Sequence, residues 1–139
     1  MGGLVSMIAF PVPPKDDNKI QLLARQDLVW LQTSSGKKIA AVHMRRKREL
    51  TILYSHGNAE DLGRILPYLE QIAVVCQTNI FAYDYCGYGV SEGSPSEEAC
   101  YESIDAAFEY LMQKGVEAEK VVAFGRSIGS GPPPGPGSP

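Results

Sequence analysis

Val121-Val122-Ala123-Phe124-Gly125-Arg126-Ser127-Ile128-Gly129 is an apolar, β-like run that breaks into Gly-x-Ser-x-Gly, and its reading decides the fold. A buried strand that turns sharply into a helix lifts a serine hydroxyl above the sheet, and glycines at 125 and 129 leave the backbone room for that turn. The pattern recurs at Gly89-Val90-Ser91-Glu92-Gly93. That copy sits several residues past the strand-like stretch 80–84 and runs into Ser94-Pro95 instead of a helix. Ser127 is therefore the candidate nucleophile, and Ser91 is read as a loop residue. The residues after the elbow are unusual: Ser130-Gly131-Pro132-Pro133-Pro134-Gly135-Pro136-Gly137-Ser138-Pro139 cannot form the elbow helix. Pro133, Pro134 and Pro136 lack amide donors, and Gly135 and Gly137 disfavour helix.

Working back from the elbow, residues 116–120 lead into the last strand. The helix before it opens at Ser94, with Pro95 as first helical residue and Glu97 closing a capping box, or alternatively at Ser96. Ile104, Phe108 and Leu111 are expected to form its core face, and Gly115 to end it. Asp105, off that face, is read as solvated. Residues 79–85 read as a strand buried on both faces. A one-sided apolar stripe at Leu62, Ile65, Leu66, Leu69, Ile72, Ala73 and Cys76 marks another helix, bent at Pro67 or opening there. Residues 50–54 form a further buried strand, ending in Ser55-His56-Gly57-Asn58. The runs 28–33 and 39–44 flank Ser34-Ser35-Gly36 as an antiparallel hairpin, and Arg45-Arg46-Lys47-Arg48 reads as a solvated hairpin tip. The order hairpin, β, α, β, α, β, elbow implies a parallel sheet flanked by helices.

The 139 residues are at most one small domain, with 44% hydrophobic residues and a net charge of −3. That balance points neither to wholesale disorder nor to nucleic acid. Three cysteines, an odd number without a secretory leader, point to a reducing, cytoplasmic location. No apolar run approaches the roughly 20 residues of a membrane-spanning helix. Met1-Gly2-Gly3-Leu4-Val5-Ser6 fits acylation of Gly2 by myristate, which would make the chain membrane-associated; an ordinary Met-Gly start is the simpler reading. A single myristate binds membranes only marginally, so the basic run 45–48 would have to be the second signal. Phe10-Pro11-Val12-Pro13-Pro14 is expected to lie extended.

Four blocks together resemble the α/β-hydrolase superfamily, and within it the cytosolic α/β-hydrolase-domain proteins that act as protein depalmitoylases. They are Tyr54-Ser55-His56-Gly57-Asn58-Ala59-Glu60-Asp61-Leu62-Gly63; Asn79-Ile80-Phe81-Ala82-Tyr83-Asp84-Tyr85-Cys86-Gly87-Tyr88-Gly89-Val90-Ser91; Pro95-Ser96-Glu97 with Ile104-Asp105-Ala106-Ala107; and the Ser127 elbow. The resemblance implies an α/β fold, the N-terminal part of an α/β-hydrolase fold: an antiparallel hairpin leading into a mostly parallel sheet flanked by helices, cut after the elbow. It divides the chain into an extended or anchor segment (1–27), a partial hydrolase domain (28–131) and a Pro/Gly tail outside the fold (132–139).

The resemblance also implies roles. Ser127 is the nucleophile towards an acyl ester or thioester; the backbone N–H groups of Ile128 and Asn58 form the oxyanion hole. His56 is a packed residue of the oxyanion loop, His43 has a still weaker case as a base, and Asp84 holds the loop that comes after it. No metal or cofactor is expected, and the partner is an acylated protein or small acyl ester. In this fold an acid and a histidine come after the serine, yet the 12 residues after Ser127 contain no Asp, Glu or His. Two readings result: a serine hydrolase whose triad is incomplete in this chain, or a non-catalytic product that binds a partner. In both, the last strand is an exposed edge prone to self-association.

Overall fold

The computed structural model describes residues 15–56 and 62–125. It contains helix α1 (Lys15–Leu23), strands β1 (Leu28–Gln32), β2 (Lys38–Met44) and β3 (Thr51–Ser55), helix α2 (Leu62–Cys76), strand β4 (Asn79–Tyr83), helix α3 (Glu97–Gln113), a short 3-10 turn (Ala118–Lys120) and strand β5 (Val121–Gly125). The five strands form one sheet in the order β1-β2-β4-β3-β5. β1 and β2 are the antiparallel hairpin, with Thr33 N donating to Lys37 O across the turn. β2 pairs antiparallel with β4, whereas β3 pairs parallel with both β4 and β5.

The two helices lie on opposite faces for a handedness reason. β3 reaches β4 on one side through α2, and β4 then passes back over β3 to β5 through α3. Right-handed crossovers running in opposite directions put their helices on opposite faces. Each face has its own core. On one, Leu62, Ile65, Leu66, Leu69 and Ala73 of α2 pack with Val42, Met44, Tyr54, Ile80 and Ala82. On the other, Ala106, Ala107 and Leu111 of α3 pack with Ile39, Ala41, Leu53, Phe81 and Tyr83. Each fully buried Leu, Ile or Phe among them contributes about 1.5–3 kcal/mol through water exclusion.

Several local expectations are met. Ser96, the second of the two proposed starts, caps α3, its Oγ accepting from Ala99 N at 2.9 Å. Gly115 adopts φ +89° and closes the helix, with Gly115 N donating to Met112 O and Val116 N to Leu111 O. α2 starts at Leu62, so Pro67 lies inside it and does not open it. β5 is the sheet edge, with Val122 and Phe124 almost half exposed.

Other expectations are corrected. Lys15–Leu23, within the stretch expected to be extended, is helical, and Leu22 is buried in the α2-side core. The buried face of α3 is Ser103, Ala106, Ala107 and Leu111; Ile104 is half-buried and Phe108 exposed. These two line a groove of about 1040 Å³ between α3 and the β3–β5 edge, floored by Leu53 and Ala123, with Asp105 exposed at its rim. Cys76 is exposed and not part of the α2 stripe, while Cys86 is buried and Cys100 half-buried; all three are free thiols. Residues 45–48 are exposed but form no hairpin tip, because β2 and β3 do not pair: β4 lies between them. Asn79 at the start of β4 holds this connection, its Oδ1 accepting from Arg46 N and Arg48 N and its Nδ2 donating to Arg48 O.

Candidate functional site

The three parallel strands end together. Ser55 at the end of β3 is in register with Tyr83 of β4 on one side and Gly125 of β5 on the other. Outgoing loops at such carboxyl ends build sites in α/β sheets, above all where neighbouring strands send their helices to opposite faces, as β3 and β4 do. Asn58 comes after β3 in the chain, and Ser127 and Ile128 come after β5. These three residues, and Gly2, lie outside the described residues; their strands bring the points of departure, Ser55 and Gly125, side by side.

His56, the last described residue before Asn58, is fully buried. Its Nε2 stands 2.9 Å from Asp84 Oδ1, and Asp84 is likewise fully buried. The His56 ring meets Tyr85 edge-on at 4.8 Å between centroids and Tyr88 at 5.3 Å, and its carbonyl accepts from Tyr85 Oη at 3.2 Å. This is the packed structural histidine expected from the sequence. Asp84 Oδ1 also accepts from Leu62 N at 2.7 Å, at the first residue of α2. The carboxylate thus reaches back to the segment before α2, whereas the loop after β4 is held through the Asp84 carbonyl.

Ser91 makes that second link. Its Oγ accepts from Ala40 N at 2.9 Å and donates to Asp84 O at 3.1 Å, so its hydroxyl ties the loop to β2 and is committed to structure. The two Gly-x-Ser-x-Gly copies are separated as expected for Ser91. Gly87 in the same loop has φ +85°, and a Cβ there would come within 2.5 Å of Pro95 Cδ and 2.7 Å of Pro95 N, so only glycine fits. Ser103, which sequence reasoning missed, clamps the loop to α3: buried, it donates to Ala99 O and accepts from Cys86 N. A small polar residue on an otherwise apolar helical face was its only signal.

Beneath the strand ends runs a hydroxyl and ring cluster. Ser55 Oγ and Tyr83 Oη are 2.7 Å apart, and the Tyr83 and Tyr85 rings meet edge-on at 5.3 Å. Burial raises the pKa of both phenols, well above the ordinary value at Tyr83, so both stay neutral hydrogen-bonding groups at any physiological pH.

His43 lies away from this end, next to last in β2, opposite Phe81. Its ring is edge-on to Phe81 and Tyr110, with Nδ1 3.3 Å from Tyr110 Oη. Burial, then the charges of Arg45 and Lys114, lower its pKa from 6.5 to about 4. The unfolded chain regains the ordinary value, so it binds the proton first and stability falls as pH drops from about 6.5 towards 4. We expect the urea midpoint to fall between pH 7 and pH 5, and His43→Gln to flatten that fall; an unchanged slope in the variant would show that His43 is not its source.

Among the described residues no group of three His, Cys, Asp or Glu side chains is placed to hold a metal, and no helix is long and apolar enough to cross a membrane. The family described as Chlamydia CHLPS protein (DUF818) matches residues 25–131. The alpha/beta hydrolase domain-containing protein aho-3 of Caenorhabditis elegans is 35% identical over 152 residues, covering 93% of this chain and 46% of that protein. Human alpha/beta hydrolase domain-containing protein 17B is 40% identical over 104 residues, 73% of this chain and 36% of its own length. The chain therefore spans less than half the length of these curated relatives. Among solved structures, the carboxylesterase EstE1 from a metagenomic library superposes with a TM-score of 0.60 at 17% identity, over 83% of this chain and 43% of that one. The Pyrococcus furiosus esterase Pf2001 gives a TM-score of 0.61 at 17% identity, over 82% and 44%.

Proposed function

The chain belongs to the family described as Chlamydia CHLPS protein (DUF818) and, with its curated relatives, to the α/β-hydrolase superfamily, and from that premise we propose that it carries the nucleophile portion of a serine hydrolase for acyl esters or thioesters. One observation carries this reading: Ser55 and Gly125 are register partners on adjacent parallel strands. A loop leaving β3 and an elbow leaving β5 then start from neighbouring points. In this reading the backbone N–H groups of Asn58 and Ile128 form the oxyanion hole for the carbonyl that Ser127 attacks.

In this reading the Ser127 hydroxyl adds to the acyl carbonyl, the two N–H groups take the developing oxyanion charge, and collapse expels the thiol or alcohol and leaves an acyl-serine. An acylated protein is the substrate that the depalmitoylase likeness suggests, and acylation at Gly2 would bring the chain to the membrane where such substrates lie. A serine-directed fluorophosphonate tests the nucleophile. An adduct mapped to Ser127, absent in Ser127→Ala and never on Ser91, supports the hydrolase reading; no adduct on Ser127 supports the non-catalytic one.

A second reading, a non-catalytic binding module, is favoured by the histidines. The sequence has two, His43 and His56, and both are buried and engaged within the fold. Neither is presented as a base, and none comes after Ser127 in these residues.

A further inference from the structure

We propose that a cavity at the end of the sheet remote from Ser55 and Gly125 is a binding site for a phosphate monoester, built from Arg45, Arg46 and the imidazole N–H of His43. β2 runs antiparallel to β4, so its last residues lie beside the start of β4, His43 opposite Phe81 and Met44 opposite Ile80. There Arg25, Asp27, His43, Arg45, Arg46, Glu70 and Tyr110 line a cavity of about 490 Å³. The site stands apart from the acyl chemistry proposed for the other end of the strands.

The hydrogen bonds decide what the cavity offers. Arg45 Nε donates to His43 Nδ1 at 3.3 Å, so that nitrogen carries no hydrogen; Tyr110 Oη, also at 3.3 Å, donates to it as well, and the ring hydrogen sits on Nε2. His43 is 7% exposed, and its Nε2–H has no acceptor among the described residues. Burial and the charges of Arg45 and Lys114 outweigh that of Asp27 and hold the ring neutral at physiological pH, so this donor persists. Both carboxylates of the lining are already taken: Arg25 forks onto Asp27 at 2.8 and 3.0 Å and reaches Glu70 at 3.1 Å. The guanidinium groups of Arg45 and Arg46 have no carboxylate partner among the described residues. What remains uncommitted is therefore donors alone, carrying two positive charges. Their frame is fixed, because His43 N donates to Asp27 O at 3.0 Å and Asn79 Oδ1 accepts from Arg46 N at 2.7 Å. A phosphate monoester brings up to two negative charges and three acceptor oxygens, which match two guanidiniums and one N–H. A carboxylate would satisfy only one of the guanidiniums.

With only two histidines in the chain, proton NMR of the imidazoles reads the site directly. Titrating the 139-residue chain at pH 7 with inorganic phosphate, ionic strength held constant with chloride, moves the His43 ring resonances saturably and leaves those of His56 in place. Arg45→Gln and Arg46→Gln each weaken binding about ten-fold or more, the scale of a lost charge-assisted hydrogen bond. Lys47→Gln, exposed and outside the cavity lining, changes it by less than about two-fold. If Arg45→Gln disturbs the His43 ring, Arg46→Gln decides, since the Arg46 side chain is exposed. No saturable His43 shift at about 100 mM phosphate, where even a millimolar site is filled, overturns the proposal, and so does equal weakening in Lys47→Gln. Glycerol 3-phosphate and phosphatidylcholine vesicles containing phosphatidic acid then separate the two sources of the group. A His43 shift with the free ester assigns a soluble ligand. Arg46-dependent cosedimentation with the vesicles, without a shift by the free ester, assigns a lipid headgroup. The absence of both overturns the assignment to a monoester.

Discussion

A thioester-hydrolysis assay on these 139 residues is expected to give the wild type and Ser127→Ala the same background rate. A serine hydroxyl at its ordinary pKa is a weak nucleophile and needs a positioned base to take its proton. Loss of the histidine from a serine triad lowers kcat by about 10⁶-fold, about as much as loss of the whole triad, so what remains does not depend on the serine. Here His56 is buried against Asp84, Tyr85 and Tyr88, and His43 packs against Phe81 and Tyr110. Moving either to Ser127 would require dismantling one of the two cores. A Ser127-dependent kcat of about 1 s⁻¹ or more, within the ordinary enzyme range, would mean that a base reaches the serine and would refute this expectation.

Val122→Lys is expected to convert a self-associating chain into a monomer. β5 has β3 as its one partner in the sheet, and its five residues, Val121–Gly125, include no charge and no proline. Sheet edges are ordinarily blunted by such residues, by bulges or by covering elements. Val122 is 46% and Phe124 45% exposed, on the face where Phe124 already packs on Tyr54 at 5.5 Å. A second copy added antiparallel about Ala123 would set Val122 opposite Phe124, an aromatic–β-branched pair of the kind that stabilises cross-strand contacts. A lysine there replaces that contact with a charge that must be desolvated. Sedimentation velocity should show the wild-type mass rising with concentration and the variant's staying constant. A wild type that remains monomeric throughout the range would rule out the edge as a self-association surface.

The parts of the fold that were legible in the sequence are those written by local periodicity. The hairpin, the apolar stripe of α2, the buried runs of β3 and β4, the Ser96 cap and the Gly115 stop each come from residues within one or two turns of one another. α1 escaped because Lys15–Leu23 is mostly polar and offers one buried anchor, Leu22. The face of α3 was misplaced because Phe108 outweighs Ser103 and Ala107 on any hydrophobic count. Close approach of a helix to a sheet nevertheless favours the small residues, and Phe108 is left at the groove. The chemical motif at Ser127 was legible as a pattern, and Ser91 was separable from it by context; the two hydrogen bonds that commit Ser91 to the loop were not.

By itself the sequence determined the order of the elements, the two glycine-flanked serines and the absence of any acid or histidine after Ser127, since these are properties of neighbouring residues. Tertiary structure alone decided that β4 inserts between β2 and β3 and that Asp84 meets both His56 and Leu62. Strand partners are chosen by how two faces of apolar side chains can be buried at once with right-handed crossovers, and that choice is made across the whole chain. Asp84 shows this: the resemblance implied only a hold on the loop ahead, where its carbonyl accepts from Ser91, and its carboxylate meets Leu62 and His56 behind it.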